Sequence, residues 1–160
     1  MIRNICLIGL PHSGKTMIGK RLYKRFNKGF IDTDDIIRAA YDCDLASIIA
    51  KYGHQEFLKI ERDVVQSLIC ENTIISTGGS VIYHKSTMEH LKHNLHSYIY
   101  HLELDEDTFY KKANDLAARG VVYDKSKSLQ DFYKERIHLY NKYADFSIHP
   151  TTFDDPIFFC

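Results

Sequence analysis

The chain has no excess charge of either sign, because 21 Lys and Arg balance 21 Asp and Glu over 160 residues. Without a basic field there is no long-range pull toward nucleic acid or an anionic membrane, so neither is expected as a partner. Any grip on an anion has to come from local arrangement. The sequence also lacks an apolar run of membrane-spanning length. Its four cysteines, Cys6, Cys43, Cys70 and Cys160, include no Cys-x-x-Cys pair. Free thiols in a reducing cytoplasm are the expected state. A strand is predicted at the very N-terminus, so no cleavable leader is expected. Repeats, low-complexity tracts and Gly/Ser linkers are missing too. A single domain over residues 1–160, working as a monomer, is therefore expected.

What is present is an alternation of two periodicities. Short apolar segments at 4–9, 30–32, 73–76, 97–104 and 145–149 read as strands. Between them, 15–26, 55–70, 107–118 and 129–143 carry apolar residues at helical spacing, such as Ile18, Leu22 and Phe26 in the first. Strands alternating with helices predict an α/β fold with a parallel sheet covered on both faces. The tail at 150–160 is rich in Phe but has no clear period.

The strongest motif is Gly9-Leu10-Pro11-His12-Ser13-Gly14-Lys15-Thr16, placed after a predicted strand and opening a predicted helix. Glycines at both ends let successive backbone amides turn inward, and the helix adds its N-terminal partial charge. Lys15 is expected to reach the β- and γ-phosphates of a nucleotide and Thr16 to join Mg²⁺. His12 occupies a free position of the loop and reads as merely tolerated.

The second predicted strand ends in Phe30-Ile31-Asp32-Thr33-Asp34-Asp35. Alternation along an extended chain would put Asp32 and Asp34 on the same side, at the carboxyl edge where an open parallel sheet binds ligands. One carboxylate then suits the Mg²⁺ hydration shell and the other an acceptor hydroxyl. The plain structural alternative is a helix cap from Thr33 or Asp34. The third strand ends not in a metal-binding Asp but in Ser76-Thr77-Gly78-Gly79-Ser80, where backbone amides can approach a ligand.

Together these residues resemble the shikimate kinase family of P-loop small-molecule kinases. The resemblance rests on the phosphate loop, Asp32-x-Asp34, Phe57-x-x-x-Glu61, Thr77-Gly78-Gly79, Arg119 and Arg136-x-x-x-Tyr140, in register over about residues 4–149. It implies a three-layer P-loop kinase fold with five parallel strands in the order 2-3-1-4-5. It also implies a substrate-binding helical segment at about 33–61 and a mobile lid at about 113–127. The implied cofactors are ATP and Mg²⁺, and the implied substrate is shikimate or a similar small hydroxy acid. Lys15, Asp34 and Arg119 would be catalytic. Gly9, Pro11, His12, Ser13, Gly14, Lys15, Thr16, Met17 and Lys112 would hold the nucleotide. Asp34, Glu61, Gly78, Gly79 and Arg136 would meet the acceptor, and Thr16 and Asp32 the metal.

Three positions depart from the family pattern. Leu58 stands where an arginine helps clamp the shikimate carboxylate, and Arg62, one helical turn on, is the candidate replacement. Ser80 replaces a third glycine, which would strain the loop if that position needs positive φ. Gly120 follows Arg119 where proline is usual, and is expected to loosen the lid. Two changes fall on the acceptor side, so a kinase of another hydroxy acid and a nucleotide-binding relative without turnover stay open. A nucleoside monophosphate kinase would need more cations than Arg38, Lys51, Lys59 and Arg62 over 33–70. His90, His93 and His96 suggest a metal but read as a solvated helix edge. Arg119 also fits a helix C-terminus, and Arg136 and Glu61 fall within apolar stripes, where a charge needs a partner.

Overall fold

The structure, a computed structural model, describes residues 3–149. The tail at 150–160, with Cys160, lies outside the described residues. Five strands, β1 (Asn4–Ile8), β2 (Gly29–Asp32), β3 (Thr73–Ser76), β4 (Ser97–Leu102) and β5 (Phe146–Ile148), form one sheet in the order β2-β3-β1-β4-β5. Every pairing is parallel. The helices are α1 (Lys15–Phe26), α2 (Thr33–Tyr41), α3 (Leu45–Tyr52), α4 (His54–Gln66), α5 (Lys85–Glu89), α6 (Glu106–Lys112) and α7 (Leu129–Tyr143).

The alternation of side chains along β1 divides the core. Ile5 and Leu7 join Ile18 and Leu22 of α1 on one face of the sheet. Cys6 and Ile8 point the other way, into a larger cluster with Val65, Leu91, Phe109, Phe132 and Tyr140. Burying both faces is why these strands read as continuous apolar runs rather than alternating ones. Ile37, Leu45, Ile48 and Phe57 form a third cluster, which ties α2, α3 and α4 together beside the sheet's carboxyl edge.

The predicted helices at 15–26 and 129–143 match α1 and α7 residue for residue. The helix predicted over 55–70 ends instead at Gln66. The one predicted over 107–118 ends at Lys112 and continues as a 3-10 turn, Ala113–Asp115. The segment at 33–61 resolves into α2, α3 and the start of α4, separated at Asp42, in the left-handed region, and at Gly53.

Candidate active site

The phosphate loop joins β1 to α1. Gly9 and Gly14 both have positive φ, 152° and 87°. At Gly9 a Cβ would sit 2.7 Å from the Leu102 carbonyl oxygen and 2.8 Å from Ser13 Oγ, so the loop closes only around glycine. Gly14 caps α1 without a side-chain bond, which leaves the opening N–H groups for an anionic ligand. Lys15 Nζ folds back and donates to the carbonyls of Gly9 and Leu10, both at 2.9 Å. Burial lowers its pKa to about 8, against the nearby charges of Asp34 and Asp32.

His12 is more than tolerated. Its φ is 69°, in the left-handed region that costs a non-glycine residue about 1 kcal/mol. Its Nε2 meets Asp115 Oδ1 at 2.9 Å.

On the acceptor side the local structure differs from the extended alternation read in the sequence. The chain turns helical at Thr33, and Asp32 itself caps α2: its Oδ1 accepts from the Asp34 and Asp35 amides at 3.0 and 3.4 Å. Its Oδ2 accepts the Thr16 hydroxyl at 2.6 Å. One carboxylate therefore both caps α2 and holds the Thr16 hydroxyl, one oxygen for each. The Thr16 and Asp32 oxygens are hard donors of the kind Mg²⁺ takes alongside water and phosphate. Asp34 is brought to the cavity by the first turn of α2 and lies close enough to Asp32 to feel its charge. Burial first, and Asp32 second, raise its pKa to about 6.

Behind Asp34 sits Glu61 of α4, 1% exposed, with neither carboxyl oxygen within ordinary hydrogen-bonding range of a partner among the described residues. Burial and then the Asp34 charge push its pKa up to about 8, while the Ser80 hydroxyl and Arg136 act against the shift. Gly78 fits between the two acids. A Cβ there would overlap Glu61 Oε1 and stand 2.9 Å from Asp34 Oδ1. Its amide donates to Thr33 Oγ1 at 3.2 Å.

Arg136 of α7 is fully buried. Nε donates to the Tyr83 hydroxyl at 3.0 Å, Nη2 to the Val122 carbonyl at 2.9 Å, and Nη1 to the Gly79 carbonyl and the Tyr140 hydroxyl. The Tyr83 and Phe132 rings lie 4.7 and 4.8 Å from its guanidinium carbon. These contacts resolve the charge within the apolar stripe without a carboxylate touching it.

The lid follows α6. Gly120 donates to the Ala117 carbonyl and Val121 to the Leu116 carbonyl, with Gly120 at φ 67°. That pattern is a Schellman-type close of the turns at 116–120, and Arg119, within it, also lines the cavity. Gly120 fits closely against α3. A Cβ there would stand 2.5 Å from Leu45 Cβ and 2.6 Å from the Ala46 nitrogen, so the lid is seated directly on the first turn of α3. Ser80 also proves unstrained, with φ −91°. Arg62 gives no second clamp, because it pairs with Asp63 at 2.7 Å.

Lys15, Thr16, Asp34, Glu61, Gly78, Gly79, Arg119 and Arg136 line one cavity of about 500 Å³, with Leu45, Phe57 and Val122 as apolar walls. A second cavity, of about 310 Å³, lies beyond His12, Gly14 and Met17 and is lined by Lys112, Arg21 and Thr108. Gly9 and Asp32 support the loop and α2 from behind. His90 lies in a π-helical turn, His90–Asn94, and His96 lies beyond it at φ 49°. Among the described residues no group of three or more His, Cys, Asp or Glu side chains is placed to hold a metal ion.

Tyr83 and Asp115 went unread in the sequence. Asp115 carried a signal, since it stands four residues before Arg119 and the two pair at 3.0 Å. Tyr83 carried none, because only the fold brings a residue after β3 against α7.

Residues 11–155 match the family model described as shikimate kinase. A shikimate kinase of Clostridium botulinum is 36% identical over 146 residues, covering 88% of this chain and 84% of that one. One from Staphylococcus aureus is 35% identical over 141 residues, 88% of this chain and 80% of that one. The solved shikimate kinase from Acinetobacter baumannii, in complex with shikimate, superposes with a TM-score of 0.78 at 25% identity, covering 92% and 83%. With the sheet order, the phosphate loop and the glycine-lined acceptor wall already in place, the chain belongs to the shikimate kinase family and is an ATP- and Mg²⁺-dependent phosphotransferase acting on shikimate.

Proposed function

We propose that the 500 Å³ cavity carries out transfer of the ATP γ-phosphoryl to the 3-hydroxyl of shikimate, with the roles divided as follows. Lys15 and the amides of 9–16 hold the phosphates, and Arg119 meets the transferring group from the lid. Thr16 and Asp32 hold Mg²⁺, which when bound offsets charge on the phosphate oxygens. Asp34 orients the hydroxyl and accepts its proton. With a pKa of about 6 it is ionised at neutral pH and still basic enough to take that proton. Glu61, at about 8, stays largely protonated, so Asp34 is the one ionised carboxylate beside the acceptor. Gly78 and Gly79 let the acceptor ring approach, and Arg136 faces its carboxylate through the remaining Nη2 hydrogen. The nucleoside occupies the second cavity near Lys112.

One observation carries this reading: the phosphate loop, Asp34 and the Gly78–Arg136 wall line a single cavity. A second kinase substrate class fits worse, because Lys15, Arg119 and Arg136 are the only Lys or Arg side chains lining the cavity among the described residues. The test is an ADP-release assay with Mg-ATP, comparing shikimate with other hydroxy acids and nucleoside monophosphates, with the product's phosphorylated position assigned by NMR. Shikimate-dependent release giving the 3-phosphate supports the proposal, and release only with another acceptor sinks it. The chain is further proposed to act as one monomeric domain in the cytoplasm, without nucleic-acid partners. Free Cys6, Cys43 and Cys70 thiols and the balanced charge support that.

A further inference from the structure

Asp115 lies 103 residues after His12 and four before Arg119, and it touches both. One carboxylate oxygen meets His12 Nε2 in the phosphate loop at 2.9 Å, and the other meets Arg119 Nε in the lid at 3.0 Å. We infer that His12 and Asp115 form a positioning pair that ties the lid arginine to the phosphate loop, so that Arg119 arrives over the transferring phosphoryl group already aimed.

Three features point the same way. The contact to Arg119 uses Nε, which leaves both terminal amino groups of the guanidinium for anionic oxygens. His12 holds a left-handed φ of 69° that glycine would adopt freely, so the side chain is kept at a conformational cost, and its polar contact is Asp115. Arg119, His12, Lys15 and Thr16 line the same cavity, so the bridge spans its mouth rather than some distant surface. A single carboxylate shared by loop and lid fixes both at once, which removes much of the rotational freedom that a half-exposed arginine would otherwise have to lose at the transition state.

The inference rests on the kinase reading and is tested so that the two can fail separately. His12→Gly installs the residue that the backbone at position 12 favours, and Asp115→Ala keeps a good helix former, so neither puts the fold at risk. Each is compared alone and in an Arg119→Ala background, for kcat and KM with Mg-ATP and shikimate. A parallel calorimetric series measures affinity for Mg-AMPPNP against Mg-ADP, which needs no acceptor. Each single variant should lower kcat by about tenfold and shrink the AMPPNP-over-ADP preference, with the shikimate KM held within about twofold. In the Arg119→Ala background neither should have any further effect, and Asp115→Glu should restore part of the loss. Equal losses with and without Arg119 would reduce the pair to a structural contact and overturn the inference. An unchanged kcat would do the same. A rise in kcat would mean that Asp115 withholds Arg119, which also overturns it. If the wild-type chain turns over no shikimate yet the AMPPNP series shows this dependence on Arg119, the acceptor assignment falls and the positioning pair stands.

Discussion

Gly78 and Glu61 are fitted to each other: the space a side chain would take at position 78 is already filled by the Glu61 carboxyl. The glycine therefore does more than free the backbone near a ligand. It lets a buried acid stand directly behind Asp34. Gly78→Ala should displace Glu61, lower stability by about 1–3 kcal/mol and raise the shikimate KM. Thermal denaturation and steady-state kinetics read both effects. An alanine variant with wild-type Tm and KM would contradict the fit.

Glu61→Gln tests the charge state of that buried acid. The carboxyl titrates at about 8 in the folded chain against an ordinary 4.5. Its favourable contribution is thus fully present below pH 4.5 and lost as pH rises toward 8, because the unfolded chain releases the proton first. The glutamine variant should flatten the fall in Tm across that window. A Tm curve parallel to wild type would show that Glu61 ionises normally.

The pH dependence of kcat/KM for ATP reports the free enzyme. Ionisation of Asp34 at about 6 should raise it on the acid side, and loss of the Lys15 proton at about 8 should lower it on the basic side. Asp34→Asn should remove the acid limb along with most of the rate. An acid limb that survives in Asp34→Asn would assign it to another group.

Lys15→Ala should cut kcat by at least about 100-fold, the scale for removing one donor to developing charge. Folding should be untouched, since among the described residues Lys15 bonds only its own loop: the Gly9 and Leu10 carbonyls and, more loosely, Ser13 Oγ at 3.4 Å.

Leu58→Arg should restore a second cation for the acceptor carboxylate and lower the shikimate KM by about tenfold or more, the scale of one charge-assisted bond. Arg62, engaged with Asp63, leaves that role vacant. An unchanged or higher KM would mean that Arg136 alone suffices.

Much of this architecture was legible from period and punctuation. The boundaries of α1 and α7 follow from Gly14 before one and Ser128 before the other, with apolar residues at helical spacing after each. The phosphate loop needed only its glycines and context. What escaped reading depended on contacts far apart in the chain. The turn at Thr33 makes Asp32 a cap, a choice that tertiary structure made over the extended alternative. At Ser80 and Gly120 the sequence names a residue type without giving its φ, which the fold sets at −91° for one and 67° for the other. Tyr83 stacks on Arg136 only because the 3-10 turn Val81–Tyr83 after β3 and the length of α7 place them together.

The seat of Gly120 on α3 has a further consequence. Gly120 packs against Leu45 and Ala46 with no room for a side chain between them, and the next turn of chain is held where the Val122 carbonyl accepts from Arg136, so displacing this segment has to break both contacts. We propose that the acceptor enters and its phosphorylated form leaves by that one displacement, so that both steps share a single pair of contacts to break.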